Sequence, residues 1–247
     1  MKATQTEDPT VGSPRAMARI MGVFEALEGT ASAFGQVGIL GRLTVHGDAA
    51  ATARNILANE GLFRVGFAAS VLGVAFHIAW ALLFYYLFRP VNRTLASLAT
   101  FIILVGCAMQ ALTAFFYLTP LLVLQAGHSL SGLNTPQLAL ALINLNGLAF
   151  EIDLIFFGFW CVLAGYLILR STFMPRILGV LLMLDGIGWA LYLWPPLATF
   201  LFPAIAVASG LAEAPLQLWL IVFGVNPQRW REQARAAGKP GDLRLAG

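Results

Sequence analysis

Six carboxylates, Glu25, Glu28, Glu151, Asp153, Asp185 and Glu213, fall inside stretches of chain that are otherwise apolar, and His77 is the histidine at comparable depth. An ionisable side chain in hydrocarbon costs at least about 2.5–3.5 kcal/mol on insertion scales, so such residues usually face a polar interior or one another. Carboxyl groups beside an imidazole can bind protons, hold a cation, or act as acid and base on a substrate. A protonated carboxyl can also hydrogen-bond a neighbouring helix and do nothing more than hold a bundle together. Counting about 1.5 Å per helical residue sets Glu28, His77, Asp185 and Glu213 near mid-span, with Glu151 and Asp153 in the outer half. These are the candidate ligand- or proton-binding residues, and none is assigned a catalytic role.

Spacing sorts them further. Glu25 and Glu28 are three apart and share a helix face, whereas Glu151 and Asp153, two apart, point to different sides, so at most one of that pair faces a common site. Asn146 and Asp153 form one polar stripe, Asn144 and Glu151 a second, which predicts a helix lying between others. Pro215 frees a backbone carbonyl one turn earlier, so a kinked helix could offer a carbonyl beside the Glu213 carboxylate.

Absences remove several chemistries. The lysines, Lys2 and Lys239, stand in the tails, so no Schiff base can form on a membrane lysine. The histidines are His46, His77 and His128, and with only His77 at depth neither paired-histidine haem ligation nor a histidine-rich diiron site can be built. A mixed site of His77 with Glu28, Asp185 or Glu213 is the remaining metal arrangement; the expectation is no metal and no cofactor. No phosphate-binding glycine loop, metalloprotease histidine pair or serine nucleophile elbow is present. Cys107 and Cys161 sit in apolar runs as small hydrophobes, and no disulfide is expected.

The elements that position these residues follow from composition. The 247 residues are 59% apolar and 11% charged, far from the roughly 25% charge of a soluble domain, so lipid must be the solvent. Apolar runs at about Met17–Leu40, Val65–Phe88, Leu95–Leu124, Pro136–Leu169, Ile177–Trp194 and Leu201–Val225 predict an all-α, polytopic transmembrane helix bundle of six spans. The first is the weakest, interrupted by Glu25, Glu28 and Gln36, and the fourth is long enough to tilt, break near Asn146-Gly147 or project. Residues 1–16 read as a disordered cytoplasmic tail, 17–226 as the transmembrane domain and 227–247 as a basic cytoplasmic tail.

Basic residues orient the bundle. With both termini inside, the inner segments carry Lys2, Arg15, Arg19, Arg89, Arg93, Arg170, Arg176, Arg229, Arg231, Arg235, Lys239 and Arg244, and the outer ones Arg42, Arg54 and Arg64. Leaving the first helix unspanned moves Lys2, Arg15 and Arg19 outside and weakens that bias. The basic residues stand singly at span ends, which argues against a nucleic-acid partner. Asp48 is placed as an N-cap before AAATARNILANE, with Gly61 as a stop, so a short extracytoplasmic helix should join the first two spans. Trp80, Tyr85, Tyr86, Tyr117, Tyr166, Tyr192, Trp194, Trp219 and Trp230 mostly fall near span ends and read as an interfacial belt.

The segments GDAAATARNILANEGLFR, LFRPVNR and LIFFGFWCVLAGYLILRSTFMPRILGVL resemble a bacterial membrane family catalogued as domain of unknown function 4386, over about Ala18 to Asn226. The resemblance implies a fold rather than a reaction, because its motifs mark span ends and tight turns: Pro90 and Pro175 at hairpins, Arg89, Arg93, Arg170 and Arg176 for topology. The family often has a histidine about where Asn146 stands here and few glutamates in its first span. Asn146 cannot carry a proton, so a role of that histidine would not transfer to this chain.

Three function classes follow. The first is a binding or transport-like protein of the bacterial cytoplasmic membrane, with an intramembrane carboxylate and histidine site for a proton, cation or small polar ligand. The second is an accessory or sensor subunit whose polar residues tie helices together or to a membrane partner subunit. The third is a membrane-embedded enzyme acting on a lipid or quinone-like substrate.

Overall fold

With no water inside a bilayer, an apolar segment satisfies its own N–H and C=O groups, and an α-helix does this within one stretch of chain. The computed structural model describes residues 13–127, 129 and 132–238, and every regular element there is helical. The start of the N-terminal tail, His128, and residues 239–247 with Lys239 and Arg244 lie outside the described residues.

Helix α1 (Pro14–Ala33) continues through a π-helical stretch (Phe34–Leu40) into the short α2 (Gly41–Leu43). It starts three residues before Met17, with Pro14 in its first turn, where a missing N–H costs nothing. Then follow α3 (Ala49–Ala58), α4 (Glu60–Phe88), α5 (Arg93–Gln125), α6 (Thr135–Arg170), α7 (Arg176–Ala190) with a 3-10 turn at Leu191–Leu193, α8 (Pro195–Val222) and α9 (Pro227–Ala237). Among the described residues five helices, α4 to α8, with the turn after α7, are long and apolar enough to cross a membrane. Taken alone, α1 is not one of them, because Arg15, Arg19, Glu25 and Glu28 crowd its sequence.

The expected cap holds: the Asp48 carboxylate accepts the Ala51 N–H at 2.8 Å and starts α3. The expected stop does not. Helix α3 ends at Ala58 with Asn59 as its cap, and Gly61 lies inside α4, whose start carries the Glu60–Arg64 ion pair at 2.9 Å. Nor does the fourth run break at Asn146-Gly147: α6 is a single helix of 36 residues, about 54 Å long.

Six long helices form a closed ring. Helix α1 packs on α4, α4 on α5, α5 on α6, α6 on α7 and α7 on α8, and α8 returns to α1. Inside the ring two apolar layers are separated by a polar one. At the arginine-bearing end, Trp80, Phe84, Phe88, Trp160, Leu182 and Leu220 belong to one buried cluster, with Trp80 and Trp160 rings 4.8 Å apart. At the other end Ile39, Phe63, Tyr117, Leu121 and Ile143 form a second cluster, capped by Ile56 of α3.

Trp80 and Tyr117 are therefore core residues, 1% and 0% exposed, and not part of an interfacial belt. Trp230 is buried too, because the expected C-terminal tail begins with α9, folded back over the bundle end. Its Nε1–H donates to the Leu87 carbonyl at 2.8 Å, while the Gln233 side chain bonds Thr172 and Arg170 across the turn between α6 and α7.

Glycines let the staves touch backbone to backbone. A Cβ on Gly165 would lie 2.6 Å from the Gly179 carbonyl oxygen, and one on Gly186 would lie 2.5 Å from that of Gly158, so α6 and α7 cross on two facing glycine pairs. Gly165→Ala should therefore destabilise the purified protein by about 1–3 kcal/mol of overpacking, read as a lower melting temperature. Gly147→Ala, on the same helix with nothing within 4 Å of the added carbon, should be neutral or stabilising in the same measurement.

Candidate functional site

The polar layer encloses a cavity of about 240 Å³ to which every stave of the ring contributes: Glu28 from α1, His77 from α4, Gln110 from α5, Asp153 from α6, Trp189 from α7 and Glu213 from α8. Each polar residue turns inward for the same reason, since the outer faces of these helices are apolar and exposed, as at Leu82, Phe101, Phe115 and Leu218. The cavity opens beside the second half of α1. There Gly29, Ala33 and the 73% exposed Val37 form its rim. The first half of α1 is shut against α8, where a Cβ on Gly22 would lie 2.8 Å from that of Leu220.

One hydrogen-bonded chain crosses the site. The Gln110 amide donates from Nε2 to Glu28 Oε1 at 2.6 Å, and its Oε1 lies 3.2 Å from His77 Nδ1. An amide oxygen only accepts, so Nδ1 carries the hydrogen and Nε2 is left as an acceptor when the ring is neutral. His77 Nδ1 is also 3.9 Å from Glu28 Oε1, and its ring stacks on Trp80 at 4.7 Å. Across the cavity, Glu213 Oε1 accepts from Ser209 Oγ at 2.5 Å and from Trp189 Nε1 at 3.3 Å.

Glu28, His77, Asp153 and Glu213 line one cavity, although counting along the helix sets Asp153 further out. It lies at the midpoint of α6, and the extra length of that helix is shared between its two ends. Asp185 does not line the cavity. It is buried behind it, beside Ser209 and Glu213, and accepts the Cys161 thiol at 3.6 Å. Glu151 is also absent from the lining, as the rule for residues two apart requires. The stripe through Asn146 and Asp153 is buried, Asn146 donating to the Thr113 carbonyl at 2.7 Å, whereas Asn144 is exposed and Glu151 half-buried, so only the first of the two stripes faces the bundle interior. Glu25 packs under the cavity among Met21, Phe84 and Trp160. Leu211, whose carbonyl Pro215 frees, is 64% exposed and lines no part of the cavity.

Gln110, Trp189, Ser209 and Gly106 carry roles that the sequence reading did not assign. Gln110 is a neutral amide and does not stand out by charge, although an amide in mid-span needs partners for the same reason as a carboxylate. Gly106 leaves room on α5 for Asp153, since a Cβ there would stand 2.9 Å from Asp153 Oδ1.

These features describe an all-helical protein whose long apolar helices suit a lipid bilayer, with a polar chamber among them. Residues 20–224 match the family described as Domain of unknown function (DUF4386), and the chain belongs to that family. No curated protein and no solved structure matches the chain.

Gln110→Leu strips the Glu28 carboxylate and the His77 Nδ1–H of their common partner. It should destabilise the protein by about 1–3 kcal/mol in denaturant or thermal unfolding. In a double-mutant cycle with Glu28→Gln, the two losses should fall short of additivity by more than about 0.5 kcal/mol.

Proposed function

We propose that this protein is a binding or transport-like integral membrane protein whose intramembrane chamber takes a small cation or cationic polar ligand. The observation that carries the proposal is the convergence of three carboxylates from three helices, Glu28, Asp153 and Glu213, on one cavity whose lining includes neither lysine nor arginine. Asp185, held behind Glu213, extends the same acidic field, and Glu151 is left outside it. A chamber of this sign concentrates positive charge, and its hydrogen-bonded walls hold the carboxylates in place before a ligand arrives.

The proposal includes the topology. The chain crosses the bacterial cytoplasmic membrane six times with both termini inside, residues 17–226 forming the membrane domain between two cytoplasmic tails. Two observations support α1 as a full stave: it closes the ring between α4 and α8, and Arg15 and Arg19 stand at the same end as Arg89, Arg93, Arg170 and Arg176. A cysteine placed at Ala51 in α3 should be labelled by an impermeant maleimide added to intact cells. One placed after α9 should be labelled only after lysis; the reverse pattern would overturn the orientation.

A second reading, in which the polar residues are ties between helices, draws on the hydrogen bonds among them, Glu28 to Gln110 to His77 and Ser209 and Trp189 to Glu213. One experiment separates the two. Melting curves of the purified protein across a panel of inorganic and organic cations should show a saturable rise in melting temperature for at least one, lost in Glu213→Gln. Melting temperatures that no cation moves, with Glu213→Gln merely less stable, would establish the ties and remove the chamber's binding role.

A further inference from the structure

We infer that the groove between α9 and the turn joining α4 to α5 is a site for the headgroup of an anionic phospholipid. The inference goes beyond the chamber and does not depend on what the chamber binds.

The groove holds about 670 Å³, within the ~300–1,000 Å³ range of ligand sites. One wall is the turn Arg89–Asn92 with Arg93 beyond it, and the other is α9 from Trp230 to its C-cap Gly238. Both walls are fixed. The Val91 N–H donates to the Phe88 carbonyl at 2.9 Å, and Asn92 Oδ1 accepts the Leu95 N–H at 2.9 Å. The Trp230 indole ties α9 to the last turn of α4 at the Leu87 carbonyl. The shape of the groove is therefore set before a ligand arrives.

Its charge is of one sign. Arg89 and Arg93 line it, and among the described residues no aspartate or glutamate does. Glu232, two residues from Trp230, points to a different side of α9. Other arginines at this end are spent on helix ends and turns: Arg19 donates to the Val222 carbonyl at 2.6 Å and Arg229 to that of Thr172 at 3.3 Å. Arg89 lies over the Tyr86 ring, 4.9 Å from its centre, and Arg93 is exposed. Among the described residues neither guanidinium has an ion pair or a hydrogen bond to protein. Each carries five N–H donors in a planar fork, the geometry that matches the anionic oxygens of a phosphodiester.

Position selects a lipid over a soluble anion. The turn joins two helices long and apolar enough to cross a membrane, which sets its arginines at headgroup depth. Two and three turns along α5 from Arg93, Phe101 and Leu104 are 69% and 38% exposed, an apolar track on which acyl chains can lie. The chain beyond Gly238 carries Lys239 and Arg244 against Asp242, so it brings the groove no net negative charge.

The test uses the full chain in a nonionic detergent, with melting temperature read against three probes: dioctanoyl phosphatidylglycerol, dioctanoyl phosphatidylcholine and glycerol phosphate. The expected result is a saturable rise with phosphatidylglycerol, with phosphatidylcholine at least about tenfold weaker. Glycerol phosphate, which lacks the acyl chains, should give no rise at concentrations where the lipid saturates. Arg89→Gln and Arg93→Gln should each weaken phosphatidylglycerol about fivefold. Arg176→Gln removes the same charge from the same end but not from the groove, and should change the affinity by less than about twofold. Equal affinity for the two lipids would overturn the inference, as would a loss in Arg176→Gln that matches the groove variants, or the lack of any saturable rise. Glycerol phosphate binding as tightly as the lipid would make the groove a soluble-anion site and overturn the lipid assignment. None of these outcomes bears on cation binding in the chamber. If Arg89→Gln does not fold, Arg93→Gln, at an exposed position, still decides.

Discussion

A polar side chain placed in hydrocarbon finds no water, so it must find protein, and that constraint organises this molecule from the inside. Each of the six long helices carries a polar residue or the indole Trp189 at one level, and each turns it toward the ring axis. Rotating a stave that carries Glu28, His77, Gln110, Trp189 or Glu213 to present that group to lipid would forfeit its partners. The rotation of α1, the least apolar of the six, is fixed most firmly of all. Glu28 reaches Gln110 on α5, and the Gly35 carbonyl accepts the Tyr117 hydroxyl at 3.1 Å, also on α5.

The ring could not close around such a layer without firm packing above and below it. The aromatic cluster around Trp80 and Trp160 fills one end and the Phe63–Tyr117 cluster the other, with ring centroids 4.9 Å apart in the second pair. Glycines at the crossings of α6 with α7, α1 with α8 and α1 with α4 bring backbones into contact, which suits helices that gain nothing from apolar burial in an apolar solvent. The π-helical stretch Phe34–Leu40 lies at the last of these crossings. Gly35 lies against Gly66 there, and the widened turn carries Gln36 to the cavity wall.

Holding helices together and, as proposed, holding a ligand would draw on the same polar atoms. The hydrogens of Gln110, Ser209 and Trp189 are spent on Glu28 and Glu213, which fixes those carboxylates in place. The acceptors of Asp153 and His77 are left over.

What the sequence determined by itself is everything that depends on position along one helix. Composition decided the solvent, apolar runs decided α4 to α8 although α4 and α8 start several residues earlier than their runs, at Glu60 and Pro195, and Asp48 decided where α3 begins. Depth is also local, since a rise of about 1.5 Å per residue is the same in any context. Glu28, His77 and Glu213 were therefore legible as one level. Which neighbour each residue meets depends on the order and rotation of helices around the ring, and only the tertiary structure decided that. It brought Asp153 into the chamber and set Asp185 behind it, made Trp80 and Tyr117 core rather than interface, and turned the start of a basic tail into the docked α9. It also found Gln110, whose neutral amide has no distinguishing mark in the chain until Glu28 and His77 stand on either side of it.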